Sequence, residues 1–210
     1  MRNDLYLDLM KRCLVNEIYP ELETGNGLPF IGEKRMSKLD EARAKASAWK
    51  GLESRYKPYI TIDPSLIVEI GVDYGYSFFT LASDFPRAMV VGIDPYPISG
   101  EGSVGHPDAE IHVRKYIKEF PNTVLLKMES KRGSLEFKDN SIDLLHIDAI
   151  HTYEATKEDI ELWSFKLKQG GIAMFHDVVS FPGTRKAFDE IPGRKVIIPE
   201  CFGLGIWYKE

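Results

Sequence analysis

The sequence has little cysteine, no long apolar run, no internal repeat and no excess of basic charge. Its two cysteines, Cys13 and Cys201, lie far apart without C-x-x-C spacing, which argues against a disulfide framework and points to reduced thiols. No apolar stretch approaches the roughly 20 residues of a membrane-spanning helix, so no membrane partner is expected. The opening Met1-Arg2-Asn3-Asp4-Leu5 has no signal-peptide core, and a cytoplasmic protein is the expectation. The net charge of −5 is unevenly spread: residues 1–60 hold eleven Lys and Arg against nine Asp and Glu, the remainder sixteen against twenty-three. An acidic larger part argues against a nucleic-acid backbone as principal partner.

What is present is ordinary globular material: 43% hydrophobic and 28% charged among 210 residues, enough for one domain with an N-terminal extension. Leu5, Leu9 and Cys13, with Tyr6, Met10 and Leu14, recur at helical spacing and predict a first helix that stops near Pro20. A Gly- and Pro-containing loop follows over 24–32, and alanine-rich residues 37–56 predict a second helix capped by Ser37. Tyr6, Tyr19, Phe30 and Trp49 are expected to pack these two helices onto the sheet, with the lining of an acceptor pocket as the alternative.

From Leu66 the pattern changes. Apolar runs at 66–70, 88–93, 123–126, 142–147 and 171–175 alternate with helical patterns at 77–85, 109–120, 133–137, 153–167 and 184–190. Strands of a parallel sheet buried on both faces read this way. Runs at 195–198 and 205–208, around a Gly-Leu-Gly turn, predict a closing antiparallel hairpin. The expected fold is α/β, with a Rossmann-like, doubly wound, mostly parallel seven-stranded sheet and an antiparallel C-terminal edge strand over 60–210. An N-terminal helical extension over 1–59 precedes it.

The segment Glu69-Ile70-Gly71-Val72-Asp73-Tyr74-Gly75-Tyr76-Ser77 reads as a strand entering a glycine turn and then a helix, where a nucleotide-like cofactor belongs. Its glycines lack the G-x-G-x-x-G spacing of a dinucleotide site, and Asp73 stands in the turn, where it would repel a pyrophosphate. S-adenosylmethionine, with a cationic sulfonium and an ammonium, suits such a turn. Asp94 ends the second strand, twenty-three residues after Gly71, where an acid can accept ribose hydroxyl hydrogens. Nicotinamide enzymes use the same device, so a dehydrogenase stays as a distant alternative. Glu69, Gly71, Asp73, Tyr74, Gly75 and Ser77 are candidate cofactor contacts around the turn, and Met128, Glu129 and Ser130 follow the third strand, where adenine would lie. Residues 95–107, with Gly100, Gly102 and Gly105, read as a loop placed to cover the site or, equally, as a surface loop with no task.

The strongest chemical constellation follows the fourth and fifth strands. Asp148 and His151 leave one strand and His176 and Asp177 the other, on the same carboxyl edge, so the two acids can face each other with both histidines close by. Oxygen ligands suit Mg²⁺, and the histidines also permit Mn²⁺, Zn²⁺ or Fe²⁺. A metal-free polar site is the competing reading. His146, inside the alternating fourth strand, is expected to be a hydrogen-bonded core residue, and Glu154 to complement the dipole of the helix it opens.

Glu69-x-Gly71-x-x-x-Gly75-x-Ser77, Ile147-Asp148-x-x-His151-Thr152-Tyr153-Glu154 and Gly170-Gly171-x-x-x-Phe175-His176-Asp177 together resemble the small-molecule O-methyltransferase branch of class I methyltransferases. They are similar to its macrocin O-methyltransferase-like and cephalosporin-hydroxylase-like group. The opening run from Leu5 to Leu14 also resembles the N-terminal helix of macrocin-type sugar O-methyltransferases. The resemblance implies S-adenosylmethionine as cofactor and a small-molecule hydroxyl, on a sugar or glycoside, as acceptor. A cofactor-binding protein without catalysis, or with altered chemistry, is the alternative on the same fold. Against catechol O-methyltransferase-like enzymes, Asp148 and Asp177 match the two metal-binding acids, which also gives Asp148 a catalytic and a cofactor-side place. The third ligand position falls on Val178, which cannot coordinate, so a cation would take His176 instead. His151 stands where that family has its catalytic lysine, which implies a base that removes the hydroxyl proton. Subunit number stays open, a homo-oligomer included.

Overall fold

Leu66–Ile70, the first strand (β1), is buried along its whole length because it lies between two other strands and under both faces of the sheet. The computed structural model of the chain describes residues 33–96 and 106–210, with side chains of the first segment from Ser37 onward. The expected first helix, the loop over 24–32 and most of the loop after the second strand lie outside the described residues, as do Tyr6, Tyr19 and Phe30.

Seven strands make one sheet: β1, β2 (Met89–Ile93), β3 (Thr123–Leu126), β4 (Ile142–Ile147), β5 (Leu167–His176), β6 (Lys195–Ile198) and β7 (Leu204–Tyr208). Their order is β3-β2-β1-β4-β5-β7-β6. The first five are mutually parallel, and β7 runs antiparallel between β5 and β6. Parallel neighbours require crossovers that cover the faces, which is why these runs are continuously apolar. The direction of winding reverses between β1 and β4, and such a switch point opens a crevice at the carboxyl ends of the strands.

The helices are α1 (Glu33–Ala42), α2 (Tyr76–Asp84), α3 (Ala109–Tyr116), α4 (Ser130–Ser134), α5 (Tyr153–Trp163) and α6 (Pro182–Asp189). Alternation along the strands sends side chains to two cores. Ile67, Leu144, Met174 and Ile206 face Leu39, Trp49, Tyr56, Phe78 and Phe79. Val68, Ile70, Leu145 and Phe175 face Phe137, Trp163 and Phe188 on the other side. Among the described residues, no helix is long and apolar enough to cross a membrane.

Several elements differ from the sequence expectation: the helix expected at 133–137 lies at Ser130–Ser134, and the one expected over 153–167 stops at Trp163. The helix expected over 37–56 begins at Glu33 and stops at Ala42, so Ser37 is interior to it rather than its cap. Turns and two short 3₁₀ segments follow, with Gly51 at φ +107°. Trp49 explains the break: it is 1% exposed and its indole Nε1–H donates to His146 Nε2 at 3.2 Å, an anchor that outweighs the helix propensity of the alanines. β5 starts at Leu167, four residues early, because Gly170 and Gly171 pair with the backbone of Lys209. The hairpin turn lies before Leu204, where Cys201, Phe202 and Gly203 all take positive φ.

Replacing Trp49 by Phe keeps a buried ring but strips His146 Nε2 of its only donor among the described residues. The expected cost is about 1–3 kcal/mol, read as a lowered urea midpoint with unchanged slope. An unchanged midpoint would show that the indole hydrogen bond anchors nothing.

Candidate active site

The turn after β1 is held from below. Gly71 has φ +83°, and a Cβ on it would sit 1.9 Å from the carbonyl oxygen of Asp148, so no other residue fits between β1 and β4 here. Asp73 is also left-handed at φ +46°, a conformation that costs a non-glycine residue energy and gathers at functional sites. Asp94 stabilises the turn: one carboxylate oxygen accepts the amides of Val72 (2.9 Å) and Asp73 (3.0 Å), the other that of Tyr96 (3.1 Å). Burial raises the Asp94 carboxyl pKa, and these amides pull it back. Asp94 therefore caps the turn while forming part of the cleft wall, which leaves lone pairs for a further donor. The Tyr96 hydroxyl donates to the Asp73 carbonyl at 2.8 Å, and the Asp73 carboxylate meets His106 Nδ1 at 2.8 Å. Tyr74 packs its ring on His106 at 4.7 Å.

Beneath the turn runs a buried polar chain. Register pairs Glu69 with His146. Since the Trp49 indole can only donate, His146 Nε2 is the acceptor and its Nδ1–H donates to Glu69 Oε1 at 3.1 Å. Ser77 Oγ also bonds to that oxygen. Glu69 Oε2 has no partner among the described residues, and burial raises the carboxyl's pKa. Glu69 thus supports the turn from inside the core and is absent from the cleft wall, whereas His146 is the core residue its alternation predicts.

The ends of β4 and β5 bring four titratable groups together. His151 Nε2 lies 2.9 Å from Asp177 and 3.4 Å from Asp148, and His176 Nδ1 lies 3.3 Å from an oxygen of each. His176 Nε2–H donates to the Cys201 carbonyl at 3.0 Å, which aims Nδ1 at the acids. Phe181 stacks on the His151 ring at 4.4 Å, and Asp177 takes φ +64°. Burial alone would lower both histidine pKa values. The carboxylates outweigh it and raise His151 to about 9 and His176 to about 10. Burial likewise opposes the charge of Asp148 and Asp177, yet the histidines hold both below the ordinary carboxylate range. Donor atoms of Asp148, His151 and Asp177 all lie within 4.8 Å of one another, a spacing one cation can bridge. The cation-sized set thus includes His151, with His176 beside it rather than as third member.

One cleft of about 850 Å³ joins these parts. Its lining includes the turn from Gly71 to Ser77 with Asp94, the group Asp148, His151, His176 and Asp177, and the group Glu129, Ser130, Lys131, Glu158 and Asp159. Ala46, Ser47 and Ala48, just before the anchored Trp49, add a wall. Met128, half-buried, packs against the second core and is absent from the cleft lining, and its amide bonds back to the Leu126 carbonyl at 3.1 Å in a tight turn. Ser130 accepts the Trp163 indole N–H at 2.8 Å and bonds to Asp159. The sequence reading missed Tyr96, His106, Asp159 and the 46–48 wall. Tyr96 alone left a signal, an aromatic directly behind a strand-ending acid and proline.

A doubly wound sheet with its cleft at the switch point, and carboxylates around the glycine turn, defines a class of cofactor-binding α/β protein. The chain belongs to the methyltransferase domain family, whose model matches residues 68–178, more than half of its length. Among curated proteins it is similar to the uncharacterized protein y4gI of Sinorhizobium fredii, with 30% identity over 128 residues, 54% of this chain. The chain covers only 13% of that relative's length. Among solved structures it is similar to a methyltransferase from Geobacter sulfurreducens, at 15% identity and TM-score 0.60, over 96% of this chain and 97% of that one. It is also similar to the SAH-bound Podospora anserina methyltransferase PaMTH1, at 14% identity and TM-score 0.61, over 99% and 97%. At such identities the likeness shows the fold, a class I methyltransferase sheet.

Asp159, 6% exposed, has its pKa raised from the ordinary 3.8 to about 6 by burial. Its ionisation therefore costs the fold stability, fully above about pH 6 and not at all below about pH 4. Asp159→Asn is expected to stabilise the protein by about 1–3 kcal/mol at pH 8 and to lose that advantage as pH falls toward 4. Thermal melts across this range check it, and a gain independent of pH would contradict the assignment.

Proposed function

We propose that this chain is an S-adenosylmethionine-dependent methyltransferase acting on a small-molecule hydroxyl, with a sugar or glycoside as acceptor and a divalent cation at Asp148 and Asp177. The observation that carries the reading is one cleft in which the acidic turn of Gly71 to Ser77 lies beside the Asp148, His151 and Asp177 cluster. The carboxylates of Asp73, Asp94 and Glu129 along the cleft fit a cationic ligand and oppose a pyrophosphate. Family membership supports methyl transfer, and the donor set of two carboxylates and an imidazole fits Mg²⁺ or Mn²⁺.

S-adenosylmethionine supplies an electrophilic methyl group on a sulfonium, and a divalent cation lowers the pKa of a coordinated hydroxyl. Asp148 and Asp177 would hold the cation, with water and the acceptor oxygen completing its shell. His151, kept in plane by Phe181, would receive the hydroxyl proton at Nε2. With both carboxylates uncompensated, His151 retains a proton at neutral pH. Nε2 is free to accept one only when their charge is neutralised. A second reading, favoured by the 4.8 Å cluster, makes His151 itself the third ligand. Removing it then weakens cation binding, whereas a pure base leaves cation affinity intact.

Calorimetric titration with S-adenosylmethionine, once with Mg²⁺ and once after chelation, tests the proposal. Binding is expected in both, since the glycine turn does not depend on the cation, and Asp148→Asn is expected to weaken Mg²⁺ binding by about tenfold or more. A folded protein that binds the cofactor in neither condition would overturn the reading.

A further inference from the structure

His176 ends β5 with its two ring nitrogens in different situations. Nε2–H donates to the Cys201 carbonyl at 3.0 Å, so the neutral ring carries its lone pair on Nδ1. That atom lies 3.3 Å from an oxygen of Asp148 and 3.3 Å from one of Asp177, yet it hydrogen-bonds to neither, and the side chain is 1% exposed. Among the described residues, no other member of the cluster has a buried side-chain atom without a hydrogen bond. Metal-ligating histidines are arranged in this way, one nitrogen fixed by a backbone carbonyl and the other turned to the ion.

Backbone strain goes into this arrangement. Cys201, Phe202 and Gly203 all take positive φ, and the turn is clipped on both sides. Cys201 Sγ donates to the Lys50 carbonyl at 3.2 Å, and the Phe202 carbonyl accepts the amides of Val179 at 3.0 Å and Ser180 at 3.2 Å. The residue after Asp177 offers no oxygen, since Val178 is an apolar side chain buried in the second core. The side-chain donors here are therefore two carboxylates with imidazole nitrogen. Mg²⁺ takes oxygen ligands and keeps its waters, whereas first-row transition metals accept imidazole readily.

We propose that His176 is a specificity-determining ligand whose Nδ1 joins Asp148 and Asp177 on the cation, so that the site prefers a first-row transition metal such as Mn²⁺ or Zn²⁺ to Mg²⁺. The inference rests on reading Asp148 and Asp177 as a cation site, and it holds whether His151 is the base or a further ligand. Beside two uncompensated carboxylates Nδ1 holds a proton, which the incoming cation displaces to solvent. Cys201 is a positioning residue, acting through its carbonyl.

The test joins two measurements: calorimetric binding of Mn²⁺ and of Mg²⁺ to the wild type and to His176→Gln, and electron spin-echo envelope modulation of bound Mn²⁺, which detects coordinated nitrogen. Gln keeps a donor for the Cys201 carbonyl and removes Nδ1. The wild type is expected to bind Mn²⁺ about 100-fold more tightly than Mg²⁺, and His176→Gln to cut that ratio about tenfold. Nitrogen modulation is expected in the wild type and equally in His151→Gln, where His176 is the cluster's remaining imidazole. A merely structural role would weaken both metals alike and leave their ratio unchanged. That result in a folded His176→Gln, equal affinity for the two metals in the wild type, or Mn²⁺ bound to His151→Gln without nitrogen modulation overturns the inference while the cation site stands. Binding of neither metal by the folded wild type overturns the cation site and this inference with it. Where His176→Gln fails to fold, the wild-type ratio and the spin-echo signal decide.

Discussion

The contact between Gly71 and the Asp148 backbone is the constraint on which the site depends. Where β1 and β4 leave the sheet, the Asp148 amide donates to the Ile70 carbonyl at 2.8 Å and the Gly71 amide to the Ile93 carbonyl at 2.9 Å. Three strand ends are thus tied together just as the chain turns away. The space left at Gly71 admits no side chain. Its left-handed backbone starts the acidic turn, and the same contact places Asp148 beside that turn. The doubly wound topology supplies the crevice, and this one close approach decides which residues meet in it.

Electrostatics then divides the cleft. At the ends of β4 and β5, the buried Asp177, the half-buried Asp148 and two buried histidines stabilise one another's charged forms, the condition under which buried charge is tolerable. Glu69 and Asp159 are treated differently. Each has one oxygen engaged and one without a partner among the described residues, and each has a raised pKa from burial. Glu69 is tied through His146 to Trp49, so the segment before the sheet is fixed to the strand that launches the turn. Asp159 opens onto the cleft.

Much of this was legible in the sequence for physical reasons. Strands buried on both faces have to be continuous apolar runs, and 66–70, 123–126, 142–147 and 195–198 coincide with strands as expected. The cluster was legible because Asp148, His151, His176 and Asp177 sit within four residues of strand ends on one sheet edge. The segment after Ala42 was not, since its alanines favour helix and only the distant His146 tells Trp49 where to go. Asp159 was hidden in Lys157-Glu158-Asp159, a charged run that reads as a solvated helix face, and only packing against Ser130 and Trp163 distinguishes it. Met128 reads as a cofactor contact by position, and its side chain packs half-buried against the second core after a local turn.

The central claim is that a single cleft holds the cofactor's methyl group beside the Asp148 and Asp177 cation site. The most direct measurement is the NMR signal of ¹³C-methyl S-adenosylmethionine bound to the protein as Mn²⁺ is added, because paramagnetic relaxation falls off steeply with distance. The account predicts that the bound methyl signal broadens away at stoichiometric Mn²⁺ and survives in Asp148→Asn. A bound methyl signal that stays sharp while Mn²⁺ saturates the wild-type protein would contradict it.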